Sequence, residues 1–400
     1  MKLSIAIIGG GSASLMLACM LDENKFDVSI YERNEALGRK FLVAGDGGLN
    51  LSHSEELQLF ISRYSPSAFF QNSISQFTND DLRKWLLSIG IETFIGSSKR
   101  IFPKDGTKPI EVLNAFISEL TRKKVSIRTN HLWKGWKNNS LLFDVYGASF
   151  SAKADICIFS LGGASWKVTG SDGMWTNYFS ERGIKIIPFQ ASNCAFAVKW
   201  KPDFIEFAEG KALKNISIMK GGQYVKGEVV ITKFGLEGGA IYALSKEIRS
   251  QLNDNNEAQI FIDLKPAFTL EQIIEKLSDR GTRSVKKLLS DKLNLNEVQI
   301  ALLKSILSKQ EFTSPLLLSE RIKKLPLNIN SAAPIDDAIS TVGGISLDEI
   351  DDSFQFKKLP NHYAIGEMLD WDAPTGGYLL HGCFSMAYCL AKHLNSKYSL

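Results

Sequence analysis

The residues best placed to do chemistry in this chain are glycines and acids rather than a nucleophile. Near the N-terminus, Gly9-Gly10-Gly11-Ser12-Ala13-Ser14 follows an apolar run over residues 3–8, and Glu32 comes 23 residues after Gly9, at the end of a second apolar run. Gly9 permits a tight strand-to-helix turn, and Gly11 lets a pyrophosphate approach free backbone N–H groups at the positive end of a helix. Ser14 stands where the GxGxxG fingerprint has its third glycine, and it is small enough to keep helix and strand close. A carboxylate at Glu32 can accept hydrogen bonds from a ribose 2′-hydroxyl and would repel a 2′-phosphate. This order of turn, helix, strand and acid implies nucleotide binding, with Ser12 and Arg33 as neighbouring contacts. Both FAD and NAD fit the motif.

A second segment of the same character lies near the other end of the chain, over residues 364–383. There Gly366 and Glu367 follow a short strand-like run, and Thr375-Gly376-Gly377-Tyr378 opens an apolar helical pattern. Two-domain NAD dehydrogenases place their contacts near one nucleotide unit, whereas flavoproteins also recruit a distant C-terminal segment. A carboxylate at Glu367 can take a ribityl hydroxyl, and bare N–H groups at Gly376 and Gly377 would face the flavin edge where negative charge builds on reduction. The two distant glycine segments thus read as two walls of one FAD site.

Candidates for proton transfer or substrate orientation are Asn50 and His53, in the glycine-rich loop 38–53, and Tyr378 and His381, one helical turn apart. Arg39 and Lys40 are candidates for stabilising an anionic flavin or a phosphate, Gly45 and Gly162 for close backbone approach, and Trp371 for stacking on a ring. No Ser/His/Asp triad, zinc spacing or P-loop is present, and no metal is expected. Cys383 and Cys389 are six positions apart on the last helical pattern, so they face differently and cannot form a redox disulfide. A second complete nucleotide fingerprint is absent, so a reducing NADH or NADPH is expected to bind transiently over the flavin ring.

The elements needed to position these residues are legible in outline. Residues 3–8, 13–21 and 28–31 form a βαβ unit, which demands a larger α/β layer because parallel strands need cover on both faces. Helical patterns follow near 55–64, 79–89 and 109–123, and strands near 125–128, 141–146 and 154–163. From about 190 the texture becomes β-rich, with strands expected at 193–200, 216–219 and 228–232. Residues 269–326 are Leu-, Lys- and Ser-rich with helical spacing. Strands at 339–345 and 362–365 and a helix at 378–394 then return to the α/β texture. The expected domains are a discontinuous FAD domain over 1–190 and 327–400, a β-rich insertion over 191–265 and a helical insertion over 266–326.

At 400 residues and 44% hydrophobic content the chain is long enough for sizeable cores. Its 47 basic and 43 acidic residues are interspersed, which does not point to a nucleic-acid partner. The five cysteines form no CxxC pair and lie in apolar runs, as expected of buried thiols in a reducing cytoplasm. The N-terminus lacks a leader-like apolar stretch, and no segment approaches the ~18 apolar residues of a membrane span.

The motifs Gly38-Arg39-Lys40, Ala44-Gly45-Asp46-Gly47-Gly48-Leu49-Asn50, Phe102-Pro103, Gly162-Gly163-Ala164-Ser165, Gly170-Ser171-Asp172-Gly173, Gly366-Glu367-Met368-Leu369-Asp370 and Thr375-Gly376-Gly377-Tyr378, in this order, resemble the bacterial BaiN-like flavoproteins, also described as YhiN-like or aminoacetone-oxidase-like. The match is to the branch whose first loop reads GGLN. The resemblance spans the chain and implies an α/β, glutathione-reductase-type Rossmann-like FAD domain, built from both chain ends and interrupted by a β-barrel-like and a helical module. It also implies FAD contacts at Gly9, Gly11, Glu32, Arg39, Lys40, Gly366, Glu367 and Gly377. The expected activity is NAD(P)H-driven reduction of an activated C=C bond or similar small acceptor, with the inserted module shaping the substrate chamber. Two rivals are a small-amine oxidase using oxygen, and a structural flavin with an RNA-associated role supported by the basic stretch 265–324, which contains Arg280, Arg283, Lys286 and Lys287.

Overall fold

The computed structural model describes residues 1–44, 48–278 and 282–398. They form two compact units, Met1–Gln190 with Ile339–Leu400, and Ala191–Ala338.

The first unit is organised by a five-stranded parallel sheet in the order His362–Ala364, Ile156–Phe159, Leu3–Ile8, Phe26–Tyr31, Ser126–Arg128. Ile5 to Ile8 and Ile156 to Phe159 are buried along their whole length, as continuous apolar runs in a doubly covered sheet must be. One face is covered by helices Ser12–Met20, Pro109–Arg122 and Tyr378–Lys397, which pack on one another. An antiparallel meander, Leu132–Lys137, Ser140–Val145 and Ala148–Ala152, joins the core on its aromatic side, where Phe143 stacks on Tyr31 at 4.5 Å and Trp133 meets Phe159 at 5.0 Å. From Leu3–Ile8 the chain moves outward to Phe26–Tyr31 and Ser126–Arg128, then returns to the opposite side at Ile156–Phe159. This reversal leaves a cleft beyond the carboxyl ends of Leu3–Ile8 and Ile156–Phe159, the place where open α/β sheets bind ligands.

The helices expected at 79–89 and 109–123 occur as Asn79–Ser88, with a Thr78/Asp81 capping box, and Pro109–Arg122, which opens on proline. The pattern at 55–64 is a shorter helix, Leu57–Ser62, whose first N–H groups are capped by Glu56. Helix Ser67–Gln76 has no clear sequence signal. Only Phe70, Ser73 and Ile74 of it are buried, and its packing on Tyr378–Lys397 supplies what periodicity does not.

In the second unit, Ala212–Lys220 and Gln223–Ile231 form a hairpin whose turn residues, Gly221 and Gly222, both have positive φ. These strands belong to an antiparallel sheet ordered Phe196–Ala197, Gly235–Glu237, Gln223–Ile231, Ala212–Lys220, Ala258–Asp263, Leu325–Ile329. The sheet closes on itself, because Asn330 N–H donates to Ala197 O and Ala197 N–H to Ser331 O. The strand expected over 193–200 is reduced to Phe196–Ala197. Helices occupy most of 270–323, but Ile273, Leu289, Leu303 and Ile322 share one apolar core with Ile218, Ile260 and Leu325 of the sheet. The expected return to the first domain at 327 falls instead at Ile339, because Leu325–Ile329 completes this sheet.

Candidate functional site

The turn after the first strand is built as the glycines require. Gly9 has φ +103°, and a Cβ there would lie 2.3 Å from the Ser160 carbonyl oxygen, so only glycine lets the two strand ends approach. A Cβ on Gly11 would meet nothing within 4 Å. It borders a cavity of about 540 Å³ in the first unit, which Gly9, Gly10, Ser12 and Ala13 also line. Helix Ser12–Met20 begins here without a side-chain cap and without an acid in its first turn, so its first N–H groups and its positive end remain for an anion.

Glu32 directly follows the second strand and is 8% exposed. Its Oε2 accepts from Gly10 N–H at 2.7 Å, and its Oε1 from Asn34 N–H and Nδ2 at 2.8 Å each. The acid therefore latches the glycine turn to the strand end while bordering the cavity. Arg33 Nη1 donates to Asp172 Oδ2 at 2.6 Å, and Arg39 Nη1 to Asn34 Oδ1 at 3.1 Å.

At the other end of the cavity, Gly366 and Glu367 follow the edge strand. Glu367 Oε2 receives Lys40 Nζ at 2.9 Å and Oε1 receives Thr341 N–H at 3.1 Å, while Lys40 also donates to Ser165 Oγ at 2.9 Å. The ion pair ties helix Arg39–Ala44 to the C-terminal glycine segment. Lys40→Met leaves the Glu367 carboxylate at the cavity wall without its ion-pair partner. FAD affinity of the apoprotein, read by fluorescence titration, is expected to fall about tenfold, the equivalent of losing one charged hydrogen bond of ~1.5 kcal/mol.

Of the expected cofactor contacts, Gly9, Gly11, Ser12, Glu32, Arg33, Arg39, Lys40, Gly162, Gly366 and Glu367 line this one cavity. Ser14 does not: it is fully buried beneath the turn, with its Oγ unpartnered, and acts through its small size. Thr375, Gly376, Gly377 and Tyr378 do not line it either; the neighbouring Leu379, Leu380 and Cys383 do. Gly45 lies outside the described residues. Trp371 borders the cavity with its Nε1 donating to Gly366 O at 2.9 Å, so its indole braces that turn.

The four proposed proton-transfer residues are placed behind the cavity wall. His53 stacks on Tyr378 with ring centroids 5.2 Å apart, and the Tyr378 hydroxyl donates to Glu55 Oε1 at 2.5 Å, where Arg63 also grips both carboxylate oxygens. Burial holds His53 below its ordinary pKa and raises that of Tyr378, so the histidine is neutral and the phenol keeps its proton at pH 7. Asn50 is half-buried, donates to Gly48 O at 3.2 Å and leaves its Oδ1 without a partner. His381 is wholly buried, with Nε2 3.0 Å from Phe77 O and Nδ1 2.9 Å from Ser52 Oγ. Burial lowers its pKa to about 4. The neutral ring must donate from Nε2 to the carbonyl and accept from the serine, which leaves it no site for catalysis. The proton-transfer expectation for His381 is therefore corrected to a core-locking role.

The structure adds residues that the sequence did not single out. His131 and Trp133, at the start of the meander, line the cavity beside Glu32, and the buried Trp133 Nε1 has no partner. An orphaned donor at the wall, the open space at Gly11 and the free helix end are what a bound dinucleotide would satisfy. Among the described residues no group of three His, Cys, Asp or Glu side chains is arranged to hold a metal ion, and no helix is long and apolar enough to cross a membrane.

Fold and site together define a Rossmann-type FAD-binding oxidoreductase. The family model described as "HI0933-like protein Rossmann domain" matches residues 3–393, and the chain belongs to that family. It is 24% identical over 403 residues to the 3-dehydro-bile acid delta(4,6)-reductase of Clostridium scindens, covering 96% of this chain and 97% of the relative. It is 22% identical over 396 residues to the ribosomal RNA dihydrouridine synthase of Haemophilus influenzae, covering 96% of each. Among solved structures, the 3-ketosteroid-delta4-(5alpha)-dehydrogenase of Rhodococcus jostii RHA1 shares the fold at a TM-score of 0.51 and 13% identity, over 98% of this chain and 96% of that one.

Proposed function

We propose that the chain uses FAD to pass a hydride from NADH or NADPH to a C=C bond conjugated to a carbonyl in a small organic molecule. The observation that carries this reading is one cavity bordered in turn by Glu32, the Gly9–Ser12 turn, Gly366–Glu367 and the first turn of the C-terminal helix. That sequence of groups suits an extended dinucleotide. FAD, when bound, supplies the ring that accepts a hydride from one partner and delivers it to another. The chain's part is to hold it. Glu32 offers a carboxylate for the ribose hydroxyls, the start of Ser12–Met20 offers N–H groups for the pyrophosphate, and Glu367, steadied by Lys40, offers an acceptor for the ribityl chain.

The names of the two relatives support the bond change. A delta(4,6)-reductase and a dihydrouridine synthase both add two hydrogens across a C=C bond. The second name favours a further reading, in which the acceptor is a uracil within RNA. The basic helical stretch adds little to it, because Arg321 pairs with Glu311, Lys323 with Asp263 and Lys286 with Glu297; Arg280 lies outside the described residues.

The test is the visible spectrum of the flavin-loaded protein under anaerobic conditions, first with NADH and NADPH, then with a conjugated enone steroid or a uridine-containing oligoribonucleotide. The expected outcome is rapid bleaching by a nicotinamide and recovery of the oxidised bands with the enone. Recovery with the oligonucleotide alone favours the RNA reading. Oxygen uptake driven by a small amine, with no nicotinamide reaction, rejects both in favour of an oxidase.

A further inference from the structure

Two of the cations bordering the cavity have carboxylate partners: Arg33 lies 2.6 Å from Asp172 and Lys40 2.9 Å from Glu367, while Arg39 bonds the neutral Asn34 at the ribose end. Arg100 stands outside the lining, against the turn at Gly376. Its side chain is half-buried, yet among the described residues no carboxylate forms an ion pair with its guanidinium. Strand Arg100–Pro103 pairs with Ser52–His53, with Arg100 opposite His53. The Ser52 carbonyl is pressed against Gly377, where a Cβ would lie 2.5 Å from its oxygen, and a Cβ on Gly376 would lie 3.1 Å from Arg100 Nε.

The guanidinium therefore rests on the turn that opens the 20-residue helix Tyr378–Lys397. That helix starts without a side-chain cap and without an acid in its first turn, and its Leu379 and Leu380 line the cavity at the Glu367 end. An uncapped helix N-terminus and an arginine without an ion-pair partner thus meet at the turn Gly376–Gly377, directly before the Leu379 and Leu380 that border the cavity at the end where the dinucleotide reading puts the flavin ring. A half-buried cation without a counter-charge carries a partial desolvation cost, and a site that develops negative charge in its working cycle explains why one is kept there.

We propose that Arg100 is the counter-cation of the reduced flavin. FAD bound with its ring at this end would, on taking a hydride at N5 from NAD(P)H, which leaves as NAD(P)⁺, carry the displaced electron pair on N1 and the C2 carbonyl, and Arg100 with the helix end would stabilise that charge. The role rests on the FAD reading and extends it to a residue outside the glycine motifs.

Sulfite tests the role without a second substrate. Its sulfur lone pair bonds to N5 of the oxidised flavin and places an electron pair on the same N1 and C2 carbonyl positions, bleaching the visible band. In Arg100→Gln carrying a full complement of FAD, the sulfite Kd is expected to rise about tenfold, and the two-electron potential to fall by about 30 mV, which is the same factor for n = 2. Arg100→Lys, which keeps the charge but not the planar fork, is expected to bind sulfite about threefold more weakly than wild type. A flavin-replete Arg100→Gln with unchanged sulfite affinity overturns the proposal. Should that variant not retain flavin, Arg100→Lys decides: the intermediate loss supports the role, and wild-type affinity rejects it. Wild-type protein that takes up no FAD would instead overturn the flavin reading itself.

Discussion

Gly9→Ala protein is expected to purify without flavin and to unfold at markedly lower urea than wild type. Gly9 has φ +103°, a region a Cβ disfavours, and the added methyl would sit 2.3 Å from a backbone oxygen, that of Ser160. Neither atom is free to turn aside. Gly9 N–H donates to Tyr31 O at 2.8 Å, and Ser160 N–H to Ile8 O at 2.9 Å, so both belong to the ends of adjacent parallel strands. Relief requires those strand ends to separate at the cleft where the pyrophosphate must lie. Strain and lost pairing together are expected to cost about 3 kcal/mol or more. Gly11→Ala is the companion measurement: its methyl meets no protein atom within 4 Å, so stability should stay close to wild type while FAD affinity falls. Equal stability and flavin content in Gly9→Ala would show that the strand ends are not held as described.

Acid is the second large effect, and His381 is its source. The ring is buried and neutral, with a folded pKa of about 4 against an ordinary value of 6.5. Because the folded value is depressed, the unfolded chain binds the extra proton first as pH falls. Stability is complete above pH 6.5, declines between 6.5 and 4, and is lower by about 3 kcal/mol below that window, at ~1.4 kcal/mol per pH unit. Glu55 acts in the same direction at lower pH. Burial alone would raise its carboxyl, but the Arg63 fork and the Tyr378 hydroxyl outweigh burial and hold it below its usual value, so its contribution is lost as pH falls through the folded value. Urea midpoints followed by tryptophan emission report on the first unit, which contains every tryptophan except Trp200. His381→Gln, which can still donate to Phe77 O, should flatten the slope between pH 6.5 and 4. A slope identical to wild type would assign the acid sensitivity elsewhere.

Much of the site could be read from the chain because its parts sit at the ends of strands. A continuous apolar run followed by Gly9 and Gly11 has few structural meanings, and parallel pairing brings the carboxyl ends of Leu3–Ile8, Phe26–Tyr31, Ile156–Phe159 and His362–Ala364 to one side of one sheet. Residues that follow those ends, Glu32, Gly162 and Glu367 among them, must then gather at the same edge, however far apart they are in sequence. Lys40, carried by helix Arg39–Ala44, meets Glu367 there across 327 positions.

Helix phase and loop return were not readable in the same way. A cavity wall made for a cofactor is as apolar as a core, so the pattern of Tyr378, Leu379, Leu380 and His381 does not say which side faces which. Packing of Phe60, Tyr64 and Phe77 turns Tyr378 and His381 inward and leaves Leu379 and Leu380 for the cavity. Arg100 and Trp133 likewise carry no local signal. Strand pairing with Ser52–His53 brings Arg100 to the turn at Gly376, and the meander carries Trp133 to the Glu32 end. The sequence by itself determined the sheet, the glycine turn and the acids at its edge, since those follow from local sterics and strand order. Only the tertiary structure decided which histidine is core and which arginine stands unpaired at the helix end, because long-range packing sets both.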